Sequence, residues 1–206
     1  MIEPRERVRR PALLIVDMQN DFVRIGAPLE VPEARDTIAA HRALLACFRD
    51  RGLPVLFTKF VTFPSPVLLW EWSPQVLPPT RCCWKGHLRH YADIGEARDC
   101  TDVIDELAPR AGEHQVEKYG YGAFHGTALD TTLRALGVES LLVTGTVTQI
   151  CVEETARQAF HHGYRTTLVS DAVSSYAPDL HAATLKNFAH KFGWVEDSAH
   201  AMRLLD

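Results

Sequence analysis

Apolar runs of four to seven residues alternate along the chain with longer stretches in which apolar positions recur every three or four residues. The short runs suit strands covered on both faces of a parallel sheet, and the longer stretches suit helices packed against it. The pattern therefore predicts an α/β fold, with strands at residues 12–16, 55–60, 115–117, 141–144 and 166–169 and a short one near Trp194 and Val195. Three helical stripes lie between them: Ile38, His41, Leu44, Leu45 and Phe48; Val152, Ala156, Ala159 and Phe160; and Leu185, Phe188 and Phe192. Gly52, Gly137 and Gly163 each stand where a helix should stop, shortly before the next strand. Residues 61–100 break the rhythm, with five prolines and Trp70, Trp72 and Trp84 but no clean period. So long an insertion in a compact domain predicts a lid, a binding loop or an oligomer contact.

Composition narrows the class. The 206 residues carry 22 basic and 26 acidic side chains, a net charge of −4, with 46% hydrophobic residues. That balance fits a single domain spanning residues 1–206 and argues against a nucleic-acid partner. No stretch approaches the roughly 18 to 20 apolar residues of a membrane span, and MIEPRERVRR has no apolar core for a signal peptide. The expectation is a cytoplasmic protein with no membrane partner. Five cysteines, an odd number with Cys82 and Cys83 adjacent, predict free thiols.

Ligands of open parallel sheets bind beyond the carboxyl ends of the strands, so polar residues just after the strands are the first candidates for chemistry. Three stand out. Asp17 closes LLIVD, and reads either as a turn cap or as a partly desolvated base. Lys118 closes QVEK ahead of the glycine-rich YGYGAFHG, and reads either as a structural ion pair or as a cation beside a ligand. Cys151 follows LLVTG at the start of CVEETARQAF, and reads either as a small core residue or as a thiol whose ionisation is favoured by free helix amides. Together they supply a nucleophile, a proton shuttle and a cation, the logic of a cysteine amidase.

LLIVDMQNDF at 13–22, EKYGYGAFHGTALDTTLRALGV at 117–138, GTVTQICVEETARQAFHHGY at 145–164 and LVSDAVSS at 168–175 resemble, in order, the signature blocks of the isochorismatase-like cysteine hydrolases. The resemblance implies a three-layer Rossmann-like fold whose six-stranded parallel sheet runs 3-2-1-4-5-6. It implies Asp17 as general base and acid, Lys118 as the cation between base and thiol, and Cys151 as nucleophile. It implies an oxyanion hole from the backbone amides of Val147 and Cys151, beside a non-proline cis bond at Thr146–Val147. It also implies a homo-oligomer, and a small amide or ureido compound as substrate.

Departures from the family pattern sharpen this. Nicotinamidase-like members have a metal-binding aspartate and histidine just after the second strand, where this chain has TKFVTFPSP, so neither metal nor cofactor is expected. Isochorismate-cleaving members usually lack the cysteine, and its presence favours carbon–nitrogen hydrolysis through a thioester or thiocarbamate. A vinyl-ether hydrolase and a catalytically silent binding subunit are the alternatives. Gln149 replaces the usual asparagine or aspartate, and Thr146 the usual valine or isoleucine. Phe22, Trp70, Tyr121, Phe124 and Ile150 are the pocket candidates. In CCWKGHLRH, a zinc site from Cys82, Cys83, His87 and His90 is disfavoured because adjacent thiols chelate one ion poorly. Arg81, Lys85 and Arg89 could instead receive a substrate carboxylate. His161 and His162 read as partners of a helix C-terminus or as surface residues.

Overall fold

The computed structural model describes residues 2–62 and 69–205; the part of the insertion at 63–68 lies outside the described residues. In chain order the elements are α1 (Pro4–Arg7), β1 (Pro11–Val16), α2 (Asn20–Val23), α3 (Ile38–Asp50), β2 (Val55–Phe60), β3 (Leu88–Tyr91), β4 (Glu96–Asp99), β5 (His114–Lys118), α4 (Leu129–Ala135), β6 (Ser140–Thr146), α5 (Glu153–His161), β7 (Arg165–Ser174), α6 (Pro178–Lys191), β8 (Trp194–Glu196) and α7 (Ser198–Arg203). The main sheet runs β5-β2-β1-β6-β7-β8, all pairs parallel. Numbered along the chain within that sheet, the order is 3-2-1-4-5-6, as the resemblance implied.

β1 sits at the centre, and its side chains alternate between two cores. Leu13 and Ile15 join the core built with α3 and α7, whereas Ala12, Leu14 and Val16 join the core built with α4, α5 and α6. Burial on both faces is why this strand is apolar without a break. Of the expected stripes, His41, Leu44, Leu45 and Phe48 are buried as anticipated, but Phe160 is turned outward and its ring meets Phe192 edge-on at 5.6 Å.

β7 is longer than periodicity suggested, because its register against β6 shifts between Val143 and Gly145 and pairing resumes at Val173 and Ser174. Gly145 lies at this shift with φ 111°, and a Cβ there would come 1.9 Å from the Val16 carbonyl oxygen. Only glycine lets β6 press so closely on the end of β1.

The insertion is a docked structure with a two-stranded antiparallel hairpin, β3–β4. Its anchor is the fully buried Asp21, which accepts from Arg89 Nε at 2.7 Å, Tyr91 Oη at 2.7 Å and the Cys83 amide at 2.8 Å. Asn20 adds a bond to the Asp99 carbonyl at 2.9 Å, and the Trp84 indole donates to the Val76 carbonyl at 2.7 Å. Trp84 thus braces the insertion internally instead of reaching toward a substrate.

Candidate active site

β5, β2, β1 and β6 end side by side, with Lys118 level with Phe60, and Val16 level with both Thr58 and Gly145. Asp17 follows Val16 with φ 51°, a left-handed conformation that a short acidic residue tolerates better than most. Its amide donates to Thr58 Oγ1 at 3.2 Å, and the Thr58 hydroxyl donates to Asp17 Oδ1 at 2.6 Å, which fixes the carboxylate. Lys118 starts two strands away, roughly 10 Å at about 4.8 Å per strand. Its stem crosses the end of β2 with the ammonium 4.9 Å from the centre of the Phe60 ring and ends 2.7 Å from Asp17 Oδ2. The Gly120 carbonyl accepts a second bond from the same nitrogen at 3.1 Å. Asp17 and Lys118 are both fully buried.

Burial disfavours the charged form of Lys118, but Asp17 and, next, Cys151 beside it outweigh that penalty and raise its pKa. The ammonium is therefore permanent at neutral pH. Gln19 steadies the middle of the arrangement, donating to the Phe60 carbonyl at 3.0 Å and accepting from the Phe60 amide at 2.6 Å.

Cys151 is 5% exposed and near enough to Asp17 and Lys118 for both to shift its ionisation. It sits in a single π-helical turn, Thr148–Val152, just ahead of α5, and not in the first turn of α5 itself. Burial raises the thiol most, Lys118 lowers it, Asp17 raises it again, and the balance is a thiol pushed up to about 12. The Thr146–Val147 peptide bond just before this turn is cis. Thr148 is tied from behind, through its hydroxyl, to the Ser174 carbonyl and to His181 Nδ1, each at 2.9 Å.

An open cleft of about 1,090 Å³ is lined by neighbours of these groups, Gly120 and Tyr121 after Lys118 and Gln149 and Ile150 before Cys151, and the exposed Trp72 and Tyr176 also line it. Tyr121 and Ile150 are where the sequence suggested. Phe22 and Phe124 are not: Phe22 is buried against Phe60 at 6.1 Å, and Phe124 stacks on His162 at 4.8 Å and packs near Tyr164 at 5.9 Å. Trp70 is half-buried off the cleft wall, and its neighbour Trp72 takes that place. Thr58, Gln19 and Gly120 went unrecognised; a hydroxyl inside the apolar run VLFTKF was the one available signal for Thr58.

The three cations proposed for a substrate carboxylate are committed elsewhere. Arg89 binds Asp21, Lys85 pairs with Glu117 at 2.6 Å, and Arg81 lies 5.4 Å over the Trp84 ring. Asp21, Cys82 and Cys83 bring potential metal-ligand atoms within 4.8 Å of one another, without His87 or His90. They make a poor ligand set, because both Asp21 oxygens already accept hydrogen bonds and burial pushes the Cys83 thiol up. His162 does lie at the end of α5, but it serves as a stacking partner of Phe124, with Nδ1 3.4 Å from Asp130.

Fold and site together define a doubly wound α/β protein with a buried cysteine, lysine and aspartate gathered at its strand ends. The isochorismatase domain matches residues 11–200, and the chain belongs to that family. It is 32% identical over 198 residues to the ureidoacrylate amidohydrolase RutB of Methylobacterium radiotolerans, covering 91% of this chain and 76% of that one. A cysteine hydrolase structure from Pseudomonas syringae pv. phaseolicola 1448A superposes with a TM-score of 0.83 at 28% identity, covering 99% of this chain and 94% of that one. The N-carbamoylsarcosine amidase structure from Thermoplasma acidophilum superposes with a TM-score of 0.75 at 33% identity, covering 92% and 97%. No helix among the described residues is long and apolar enough to cross a membrane.

Proposed function

We propose that this protein hydrolyses a carbon–nitrogen bond of a small amide or ureide, with Cys151 as nucleophile, Asp17 as proton shuttle and Lys118 as the cation that holds them in register. The observation that carries the reading is the buried ion pair of Lys118 and Asp17 at 2.7 Å, with Cys151 close enough for both to act on its ionisation and a cleft lined by the residues next to them. The amidohydrolase and amidase names of the relatives support it.

Because the thiol is pushed up to about 12, attack and deprotonation must be coupled. As sulfur bonds to the carbonyl carbon, its proton passes to the Asp17 carboxylate and the carbonyl electrons move to oxygen. The amides of Val147 and Cys151 would hold that oxyanion. On collapse the carbon–nitrogen bond breaks, nitrogen takes the proton from Asp17, and ammonia or an amine leaves behind a thioester or thiocarbamate. Water then gives a proton to Asp17 and attacks, and sulfur recovers the proton as the carbon–sulfur bond breaks. Lys118 remains charged throughout. A homo-oligomer in which the insertion is a contact or a lid goes with this reading, and Trp72 and Leu88 of that region are 78% and 66% exposed.

The test is ammonia release from a panel of amides and ureas. Cys151→Ala should abolish it, with the circular dichroism spectrum and melting cooperativity kept; turnover surviving in the purified variant would refute the mechanism.

A further inference from the structure

The charges of the cleft bear on what it can hold. Arg157 is the one permanently charged basic residue among its lining residues, and it is already neutralised: Glu153 takes its Nε at 3.0 Å and also its Nη2, while the guanidinium lies 4.3 Å over the Phe192 ring. Glu153 is fixed in turn by the Thr184 hydroxyl at 2.9 Å. Glu154 adds a further negative charge to the wall. The ammonium of Lys118 belongs to Asp17, and Arg81, Lys85 and Arg89 face other groups. Residues 63–68, FPSPVL, bring no charge of their own. Among the lining residues a carboxylate would meet Glu153 and Glu154 and no permanent cation free of an acidic partner.

One polar group there does lack a partner. Gln149 lines the cleft two residues before Cys151, and both its Oε1 and its Nε2 are shut off from solvent without a hydrogen bond. Buried amides are seldom left unsatisfied, and one beside a nucleophile matches, donor for acceptor, the amide of a substrate.

We propose that the cleft selects uncharged carboxamides or ureides over carboxylates, and that Gln149 holds the substrate's amide. This rests on the nucleophilic role proposed for Cys151, and it departs from ureidoacrylate and N-carbamoylsarcosine, the acids for which two of the relatives are named.

Iodoacetamide and iodoacetate test it without a known substrate, since both alkylate thiols and they differ only in amide against carboxylate. Rates come from intact mass and peptide mapping of the full chain. The ratio of the two rates is normalised to that for glutathione, and 4,4′-dithiodipyridine, which has no amide, reports the reactivity of the sulfur itself. The amide reagent should be preferred at Cys151 by about 30-fold or more. Gln149→Met should cut the iodoacetamide rate, relative to the disulfide reagent, by about 10-fold, the loss expected for two neutral hydrogen bonds. Glu153→Gln, which frees Arg157, should raise the iodoacetate rate severalfold. Iodoacetate favoured in the wild type, or an unchanged ratio in Gln149→Met, would overturn the selectivity while leaving the nucleophile intact. Failure of Cys151 to react with all three reagents would overturn the catalytic reading and this one with it.

Discussion

Replacing Lys118 with methionine keeps most of the stem and removes the charge, which leaves the carboxylate of Asp17 fully buried with the Thr58 hydroxyl but no counter-charge. Breaking a buried pair from one side costs about 3–5 kcal/mol, because an uncompensated charge stays out of water. The ammonium also gives up the Gly120 carbonyl and the face of Phe60, so the upper half of that range is expected. For a chain of this length the loss corresponds to a melting temperature lower by roughly 10 °C or more. Asp17→Asn alone strands the ammonium in the same way. The double variant Asp17→Asn/Lys118→Met buries no charge and should recover much of the deficit, giving an interaction energy of at least about 2 kcal/mol. Urea unfolding of the four proteins, followed by circular dichroism, measures this, and all three variants should be without amidase activity. If the double variant loses the sum of the two single losses, the groups are not coupled and the electrostatic account of the site is wrong.

Two further outcomes test the scaffold. His41 is fully buried in α3, with Nδ1 2.9 Å from the Thr37 carbonyl and Nε2 without a partner, and burial lowers its pKa to about 4 from 6.5. Between those values the unfolded chain binds a proton that the folded chain excludes, so stability falls as pH drops, by about 1.4 kcal/mol per unit. His41→Leu should remove that part of the acid slope in denaturant titrations from pH 7 to 4, and an unchanged slope would contradict it. Gly145→Ala sets a methyl group against the Val16 carbonyl at a positive φ and should cost about 3 kcal/mol or more, with activity falling as Asp17 is displaced. A wild-type melting curve would show that β1 and β6 do not need this approach.

The sheet was legible because doubly covered parallel strands must be apolar throughout, so the runs at 12–16 and 55–60 fell within a residue of β1 and β2. Asp17, Lys118 and Cys151 were legible for a related reason, as polar residues ending or following such runs. What periodicity could not give came from tertiary context. The hairpin strands LRHY and EARD are largely solvated and carry no apolar alternation, while the single buried Asp21 that docks them looked like an ordinary polar residue of a motif. The π-helical turn at Cys151 has no sequence period at all, and the state of its sulfur depends on how deeply three distant segments bury it. Phe22 and Phe124 were misplaced because an aromatic beside a glycine-rich loop suits a wall or a core equally well, and neighbours remote in sequence decide between them.

The reach of Lys118 across β2 has a mechanical corollary. Its ammonium is carried by β5, its carboxylate partner follows β1, and the sulfur lies in the turn after β6, so the three groups are spaced by four adjoining parallel strands acting like the frame of a caliper. Sliding of one strand past another would open the jaws, whereas movement of the insertion above the cleft would leave them set. The spacing of the three groups is thereby insulated from the insertion, whose Trp72 and Ser73 form one side of the cleft and are free to be recut without disturbing the tool beneath them.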